Sequence, residues 1–348
     1  MKVLITGSQG FIGSYVCAEL LANGYEVVGV DNYSKYGRIS RSHDKHPNFT
    51  LIQTDVKALP QRASGYSAWE FKDVDYIIAG AAMIGGISYF HKYAYDLLAE
   101  NERITAATFD LALKLWSEES LKKIVVLSSS MVFENTEIYP TPEDSLCSTP
   151  PPLSTYGFQK LSTEYFAKGA YEQYGLPYTI ARPFNCVGVG EDEALGEEEI
   201  TSGNVKLMMS HVLPDLINKI LRGQNPLHLL GSGEQIRCYT NGADIARGIR
   251  LCMEYAGVDD FNISTEESTT VKELAEIINE VISGENVSPL DFTYEKPYEY
   301  DVQRRIPDVK KAQKVLGFTA STSLKESVEE VVNYMRNKNE TINSTPSD

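Results

Sequence analysis

The fold is decided by a stretch at the start of the 348-residue chain, Lys2-Val3-Leu4-Ile5-Thr6-Gly7-Ser8-Gln9-Gly10-Phe11-Ile12-Gly13. Its first five residues predict a β-strand, and a helical pattern follows from Phe11 to Leu21. Glycines three residues apart at a strand-to-helix turn let the chain turn tightly, let a pyrophosphate approach the backbone and let the helix pack on the strand. The stretch therefore predicts the first strand and helix of a dinucleotide-binding fold.

The second predicted strand leads into an acidic residue. It runs from Glu26 to Val30 and is followed by Asp31 and Asn32. An acidic side chain at this place, about 20 residues after the glycines, binds the ribose 2′-hydroxyl of a dinucleotide. Because Asp31 would repel a 2′-phosphate, the sequence predicts NAD rather than NADP. Asp55, after a third strand over 49–53, is expected either to lie beside the adenine or to cap a helix.

Strands alternate with helices through the rest of the first half of the chain. Apolar runs over 75–82, 123–127 and 178–182 predict three more strands, and residues 93–116 predict a long helix. This alternation predicts an α/β fold, a Rossmann-type doubly wound parallel sheet with a smaller C-terminal substrate-binding lobe. In that lobe we expect a strand over 227–230 and helices over 212–222, 271–282 and 324–335.

The same pattern predicts how the chain is divided. Residues 1–184 are expected to form the NAD-binding domain, to which a segment near 236–258 returns. Residues 185–335 are expected to form most of the substrate-binding lobe, and residues 336–348 a frayed polar tail. The acidic run over 191–199 is expected to be a solvated loop, with a substrate lid as the alternative.

Charge and composition exclude several classes of function. The formal net charge of -16 argues against a nucleic-acid partner and against an anionic membrane surface. No apolar run reaches membrane-spanning length, and the first residues show no signal-peptide pattern. The five scattered cysteines, which lack a paired C-x-x-C spacing, favour a reducing compartment and no metal site. The sequence therefore predicts a cytoplasmic protein.

Tyr156 and Lys160 are the first candidates for catalysis. They are four residues apart in a predicted helix, so both side chains emerge from one face. A phenol titrates near pH ~10, and a fixed cation close to it lowers its pKa. The pair could therefore act as a general base near neutral pH. The alternative is a lysine that packs its stem on a half-buried tyrosine.

These motifs together resemble a known family. With the glycine turn, Asp31, the serines before Met131 and the Tyr156-x-x-x-Lys160 pair in this order, the chain resembles the extended short-chain dehydrogenase/reductases. Within them it is similar to the NAD-dependent nucleotide-sugar epimerases and dehydratases, of the UDP-glucose 4-epimerase type. The likeness extends to about residue 335 and includes Arg182-Pro183-Phe184-Asn185, Gly231-Ser232-Gly233-Glu234-Gln235-Ile236-Arg237, Phe261-Asn262-Ile263 and Arg305-Ile306-Pro307-Asp308.

The resemblance implies a role for each matching residue. Tyr156 would be the catalytic base, Lys160 would hold the nicotinamide ribose and lower the pKa of Tyr156, and Ser129 would hydrogen-bond the reacting sugar oxygen. The implied cofactor-binding residues are Gly7, Gln9, Gly10, Phe11, Ile12, Gly13, Asp31, Asn32, Asp55, Val56, Ala81, Asn101, Tyr156 and Lys160.

The implied partner is a nucleotide-diphosphate sugar. Asn185 would meet its diphosphate, and Arg237 and Arg305 would neutralise it, because a guanidinium donates two parallel hydrogen bonds to a phosphate. Surface ion pairs are the alternative for both arginines. The implied substrate-binding residues are Ser129, Ser130, Met131, Asn185, His211, Arg237 and Arg305, and His211 is also a candidate acid or base.

Met131 and His211 bear on which reaction follows oxidation. Related dehydratases and decarboxylases carry a carboxylate at the Met131 position, and this chain has none there or at Ser130. GDP-fucose synthases and GDP-mannose 3,5-epimerases resemble the chain over 81–87 and 210–214. The synthases use a histidine at the His211 position together with a cysteine at the Met131 position to exchange protons beside a ketone. A thioether cannot exchange protons, so the double epimerisation is disfavoured.

The expected activity is therefore inversion of C4 of a nucleotide-diphosphate hexose through a transient 4-keto sugar, with a UDP-sugar favoured. A 4-keto-sugar epimerase/reductase that uses His211 as acid or base is the first alternative. A catalytically silent protein that binds NAD or a nucleotide sugar is the second.

The family also implies a homodimer formed through a four-helix bundle of residues 93–116 and 155–173. The apolar residues Leu97, Leu98, Tyr165 and Phe166 could serve this interface unless they pack in the core.

Overall fold

The structure is a computed structural model that describes residues 1–84, 93–191, 197–200, 203–206, 212–296 and 302–344. The β-strands of the described residues are β1 Lys2–Thr6, β2 Glu26–Asp31, β3 Phe49–Gln53, β4 Val74–Ala79, β5 Lys123–Leu127, β6 Tyr178–Pro183, β7 Cys186–Val187, β8 Glu197–Ile200, β9 Gly203–Lys206, β10 Leu227–Leu230, β11 Ile236–Arg237, β12 Thr240–Asn241, β13 Asp259–Ile263, β14 Thr269–Thr270, β15 Phe292–Glu295 and β16 Arg304–Arg305. The α-helices are α1 Phe11–Ala22, α2 Leu59–Ala63, α3 Ala94–Ser117, α4 Thr155–Tyr174, α5 Val212–Leu221, α6 Gly242–Glu254, α7 Val271–Ser283, α8 Lys310–Leu316 and α9 Leu324–Ser344.

A seven-stranded parallel sheet forms the centre of the molecule, with the strand order β13-β6-β5-β4-β1-β2-β3. The order reverses direction at β1, which is the doubly wound arrangement predicted from the alternation of strands and helices. All six strands expected in the first half of the chain belong to this sheet. The seventh, β13, pairs with β6 through Phe261 and Ala181 and was not predicted as a strand. The strand begins with two aspartates, which interrupt the apolar pattern expected of a buried strand. They are tolerated at this edge of the sheet because each accepts a hydrogen bond from Lys311.

Both faces of the sheet are covered by helices. Residues of β1 alternate between the two faces, because side chains of a strand point to opposite sides. Val3 and Ile5 pack with α1 and α6, whereas Leu4 packs with α2, α3 and α4. The segment expected to return to the first domain thus contributes α6 to one face of the sheet.

A third apolar cluster lies in the C-terminal half of the chain. It joins α5, α7, α9 and β10 through residues such as Ile217, Leu229, Leu274 and Val328. Small sheets accompany it: β10 pairs with β15, and β11 lies between β14 and β16. This is the smaller lobe that the sequence predicts.

Two expectations for this half of the chain are corrected. The acidic run over 191–199 was expected to be a loop, but its last three residues belong to β8, which pairs antiparallel with β9, so their backbone groups gain hydrogen-bond partners. The helix expected to end at Met335 continues to Ser344. Arg336 supports the continuation by donating a hydrogen bond of 2.9 Å from Nη2 to the Ile282 carbonyl.

None of the described helices has the length and apolar character of a membrane span.

A buried ion pair connects the central elements. Arg182 on β6 donates two hydrogen bonds to the Glu164 carboxylate on α4, at 2.7 and 2.8 Å, and both side chains are fully buried. Glu164 also accepts a hydrogen bond of 2.6 Å from the Ser128 hydroxyl at the end of β5. Arg182 also lies 2.6 Å from an Asp260 carboxylate oxygen. Burial alone would raise the pKa of Asp260, but Arg182 and Lys311 lower it to about 2.

Removing one partner of this pair leaves the other charge buried. We expect Arg182→Met to lower the free energy of unfolding by about 3–5 kcal/mol. The matched control is Lys114→Ala, which removes an exposed i,i+4 pair with Glu118 and should cost at most about 1 kcal/mol. Urea unfolding of the two variants and the parent measures both values. Equal losses in the two variants would show that the buried pair does not hold the core together.

Candidate active site

A cavity of about 950 Å³ opens at the carboxyl ends of the central strands. Its wall includes Gly7 after β1, Asn32 after β2, Gly80 after β4 and Ser128 after β5. It extends to residues of the smaller lobe, among them Leu216 of α5. A crevice at this edge of a doubly wound sheet is the usual ligand site of the fold.

The glycine turn forms the floor of one half of the cavity. Gly7 has φ +77°, and a Cβ on it would lie 2.9 Å from the Ala81 Cα. A Cβ on Gly13 would lie 2.0 Å from the Gly7 carbonyl oxygen, so helix α1 can approach the turn only without a side chain there. The first turn of α1 carries no acidic residue, which leaves the positive end of the helix dipole available to an anion. The turn therefore fits a dinucleotide pyrophosphate.

Asp31 lies at the edge of this floor. One of its carboxylate oxygens accepts a hydrogen bond of 2.9 Å from the Gln9 N–H, and the other accepts one of 2.7 Å from the Tyr33 N–H. Burial raises the pKa of Asp31, and these two N–H groups oppose the rise. The carboxylate keeps lone pairs for a ribose hydroxyl and would repel a 2′-phosphate.

Nearly all of the predicted cofactor-binding residues line the cavity, including Gly10, Phe11, Ile12, Asn32, Asp55, Val56 and Ala81. Asp55 caps a 3₁₀ helix by accepting a hydrogen bond of 2.8 Å from the Lys57 N–H, and its place beside the adenine stays a prediction. Asn101 is not among the residues that line the cavity, and its place beside the cofactor stays a prediction. Both ends of its amide are bound to the Met83 backbone, at 2.7 and 2.9 Å, and Met83 lines the cavity instead.

Three of the predicted catalytic residues, Ser129, Tyr156 and Lys160, line the cavity. Tyr156 and Lys160 lie on α4, and Ser129 caps the 3₁₀ helix Ser130–Phe133 that follows β5. The Tyr156 hydroxyl is hydrogen-bonded to Ser129. The buried Lys160 ammonium donates a hydrogen bond of 3.0 Å to the Leu127 carbonyl, two residues before Ser129.

The electrostatics of Tyr156 differ from the expectation. Burial raises the pKa of Tyr156, and the hydrogen bond with Ser129 and the Arg305 guanidinium lower it. The cation near the phenol is therefore Arg305, whereas Lys160 is engaged with the Leu127 carbonyl. Burial also lowers the pKa of Lys160 to about 8. The pKa of Tyr156 is raised overall because burial outweighs the effects of Ser129 and Arg305, and the predicted effect of Lys160 on it stays a prediction.

The substrate half of the cavity contains Ser130, Met131, Asn185, Arg237 and Arg305. The two arginines are Cα partners on the parallel strands β11 and β16, so their side chains share one wall. Asn185 has a φ of 37°, in the left-handed region. Its buried Nδ2 has no hydrogen-bond partner among the described residues. The predicted residue His211 lies outside the described residues.

Sequence reasoning missed Tyr239. Its side chain is 3% exposed and lines the cavity, and its hydroxyl has no hydrogen-bond partner in the part of the chain that the structure describes. Tyr239 lies two residues after Arg237, and side chains two apart in an extended segment point the same way. That spacing could have identified it as a neighbour of the arginine.

Comparisons with known proteins agree with this geometry. The model of the NAD dependent epimerase/dehydratase family matches residues 3–264, and the chain belongs to this family, with NAD as its cofactor. A Methanocaldococcus jannaschii protein named "Putative UDP-glucose 4-epimerase" is 30% identical over 97% of this chain and 100% of its own length. An Oryza sativa subsp. japonica protein named "Putative GDP-L-fucose synthase 2" is 28% identical over 96% of this chain and 86% of its own length.

The fold is shared with solved structures as well. The UDP-glucose 4-epimerase of Thermotoga maritima, crystallised with UDP-glucose, superposes with a TM-score of 0.79. It is 28% identical, and the match covers 97% of this chain and 99% of the other. The predicted resemblance and the predicted cofactor are thereby confirmed.

The Asp31 carboxylate should determine which dinucleotide binds. We expect Asp31→Ser to weaken NAD binding about 10- to 150-fold, because it removes a charged hydrogen-bond acceptor worth about 1.5–3 kcal/mol. The ratio of NADP to NAD affinity should rise in the same variant, since the repulsion of a 2′-phosphate is lost. Calorimetric titration of protein stripped of its cofactor measures both affinities. Asp55→Asn is the control at the same rim, and an unchanged ratio in Asp31→Ser would contradict the assignment.

Proposed function

We propose that this protein inverts C4 of a nucleotide-diphosphate hexose, with UDP-sugars as the favoured substrates. The observation that carries the proposal is the meeting of Ser129 and Tyr156 in one cavity that also contains Asp31 and the arginine pair. The likeness to the Methanocaldococcus and Thermotoga proteins supports a UDP-hexose as substrate.

Tyr156 is the proton-transfer group of the proposed reaction. Its phenolate takes the proton of the C4 hydroxyl as the 4-keto sugar forms, and its phenol returns the proton after the sugar presents its other face. Ser129 hydrogen-bonds the reacting oxygen, and Arg305 favours the phenolate. NAD, held by the glycine turn and Asp31, supplies the hydride acceptor and donor.

Two side chains of the cavity wall, Met131 and Cys186, bear on whether a second proton transfer is possible. Met131 lines the cavity, and its thioether exchanges no proton. Cys186 also lines it, but burial raises the pKa of its thiol, which therefore stays protonated. Among the described residues, this supports inversion at C4 over water elimination or over inversion at C3 and C5.

The diphosphate is proposed to lie against Arg237 and Arg305. Both guanidiniums line one wall of the cavity, and the unpartnered amide of Asn185 and the hydroxyl of Tyr239 add two donors that are already buried. Donors that are desolvated before binding gain more from an anion than exposed ones do.

A 4-keto-sugar epimerase/reductase that uses His211 is the second candidate. The similarity to the rice protein named as a GDP-L-fucose synthase favours it. Such a reaction abstracts a proton beside the ketone, so it would incorporate deuterium at C3 or C5 in heavy water. Inversion at C4 without that incorporation would exclude it.

The protein is also proposed to form a homodimer through α3 and α4. Leu97 is buried and packs in the core, whereas Phe166 is partly buried against it. Tyr95, Phe158 and Tyr165 are instead 66%, 48% and 64% exposed on these two helices. A second copy would cover this apolar face. Light scattering is expected to give twice the chain mass of 38.7 kDa, and a monomer at micromolar concentration would refute the dimer.

Removing one hydroxyl should abolish the proposed activity. We expect Tyr156→Phe to lower kcat for the interconversion of UDP-glucose and UDP-galactose by about 10²–10⁴-fold, because the proton has no acceptor. The amount of bound NAD should stay unchanged, which excludes misfolding as the cause. Tyr171→Phe, on the exposed side of the same helix, is the control and should be as active as the parent. Proton NMR of the sugar products measures the activity of both variants. A fully active Tyr156→Phe would contradict the mechanism.

A further inference from the structure

The chain around Ser154 contacts the chain around Glu134 beside Tyr156. The proposed reaction does not involve this contact directly. Ser154 caps helix α4, and its hydroxyl oxygen accepts a hydrogen bond of 3.0 Å from the Gly157 N–H. Tyr156 lies between these two residues in the first turn of the helix. The position of the Tyr156 backbone therefore depends on the conformation of Ser154.

Glu134 holds Ser154 from the opposite side. Its carboxylate accepts the Ser154 N–H at 3.1 and 3.3 Å and the Ser154 hydroxyl at 2.5 Å. The single hydroxyl proton of Ser154 is therefore directed at Glu134, and its lone pairs remain directed at Gly157. A Cβ on Gly157 would lie 2.8 Å from Glu134 Oε2, which shows how closely the carboxylate approaches the helix N-terminus. A negative charge is favourable there.

Glu134 is separated from Ser129 by a single short helix. The 3₁₀ helix Ser130–Phe133 begins after Ser129 and ends before Glu134. These contacts form a closed ring. Ser129 is hydrogen-bonded to Tyr156, Tyr156 follows Ser154 in the first turn of α4, and the Ser154 hydroxyl donates to the Glu134 carboxylate. The 3₁₀ helix closes the ring between Glu134 and Ser129. The ring spans two segments 20 residues apart in sequence.

We infer that Glu134 is a positioning residue that sets the Tyr156 phenol against Ser129 by clamping the Ser154 cap. The inference rests on the proposed role of Tyr156 as the base. Glu134 does not line the cavity, so it acts through Ser154 and not on the substrate. The Arg305 guanidinium on β16 is a charged group that acts on the Tyr156 phenol, whereas Lys160 on the same helix donates to the Leu127 carbonyl.

Two variants separate the hydrogen bond of Glu134 from its charge. Glu134→Leu and Glu134→Gln both remove the negative charge, but only Glu134→Gln keeps an acceptor for Ser154. Loss of a negative charge alone would lower the pKa of Tyr156, because an anion opposes the phenolate. Loss of the clamp would raise it, because the hydrogen bond with Ser129 weakens. We expect Glu134→Leu to raise the pKa of Tyr156 by about one pH unit, the effect of one hydrogen bond, and Glu134→Gln to raise it much less.

NMR of protein labelled with ¹³C at the tyrosine Cζ measures this pKa, and the Tyr156 signal is the one missing from Tyr156→Phe. Glu143→Gln is the matched control: it changes another buried carboxylate, which accepts the Asn262 N–H at 2.8 Å away from the cavity, and should leave the Tyr156 pKa unchanged. If Glu134→Leu does not fold, Ser154→Ala removes the hydroxyl that links Glu134 to the Gly157 N–H, leaves the charge of Glu134 in place, and should also raise the pKa of Tyr156.

The titration needs no turnover, so it remains informative if the proposed reaction fails. Where the parent is active, Glu134→Leu should also lower kcat about tenfold with KM unchanged. A Tyr156 pKa that stays the same or falls in a folded Glu134→Leu or Ser154→Ala overturns the inference, whatever the activity. A parent that titrates as expected but shows no sugar turnover would overturn the proposed function alone.

Discussion

The buried contact of Ser128 with Glu164 and Arg182 is the interaction on which the active site depends. It joins the end of β5, the middle of α4 and the end of β6 in one hydrogen-bonded group. Ser129 is the next residue after Ser128, and Lys160 lies one helical turn before Glu164. Because a buried carboxylate without its guanidinium is very unfavourable, the two elements that carry the catalytic residues cannot separate without exposing this charge to an apolar core.

The site combines a negative protein with a locally positive cavity. The chain carries a formal net charge of -16, yet Arg237 and Arg305 share one wall of the cavity and helix α1 directs its N-terminus towards another. Anion binding here depends on fixed local donors, since the overall field of the protein repels anions. Such donors would hold the diphosphate of the proposed substrate at a defined place.

The first half of the chain could be predicted well because its rules are local. Glycine spacing, an acidic residue after β2 and apolar runs of strand length identify the sheet and the cofactor floor. The edge strand β13 was missed because its acidic start depends on Lys311 and Arg182, which are distant in sequence. The contact of Asn101 with Met83 and the rise in the Tyr156 pKa could not be predicted for a related reason: hydrogen-bond partners and the degree of burial are properties of the folded chain. Tyr239 and Glu134 likewise become visible only when distant segments meet.

The account makes C4 of the sugar the carbon that is oxidised and reduced, with no exchange of carbon-bound hydrogen with water. The most direct test is to incubate the protein with UDP-glucose deuterated at C4 in ordinary water and to analyse the UDP-galactose by NMR and mass spectrometry. The account predicts that the product keeps its deuterium at C4. Product that has lost this deuterium to solvent, or that has exchanged hydrogen at C3 or C5, would contradict it.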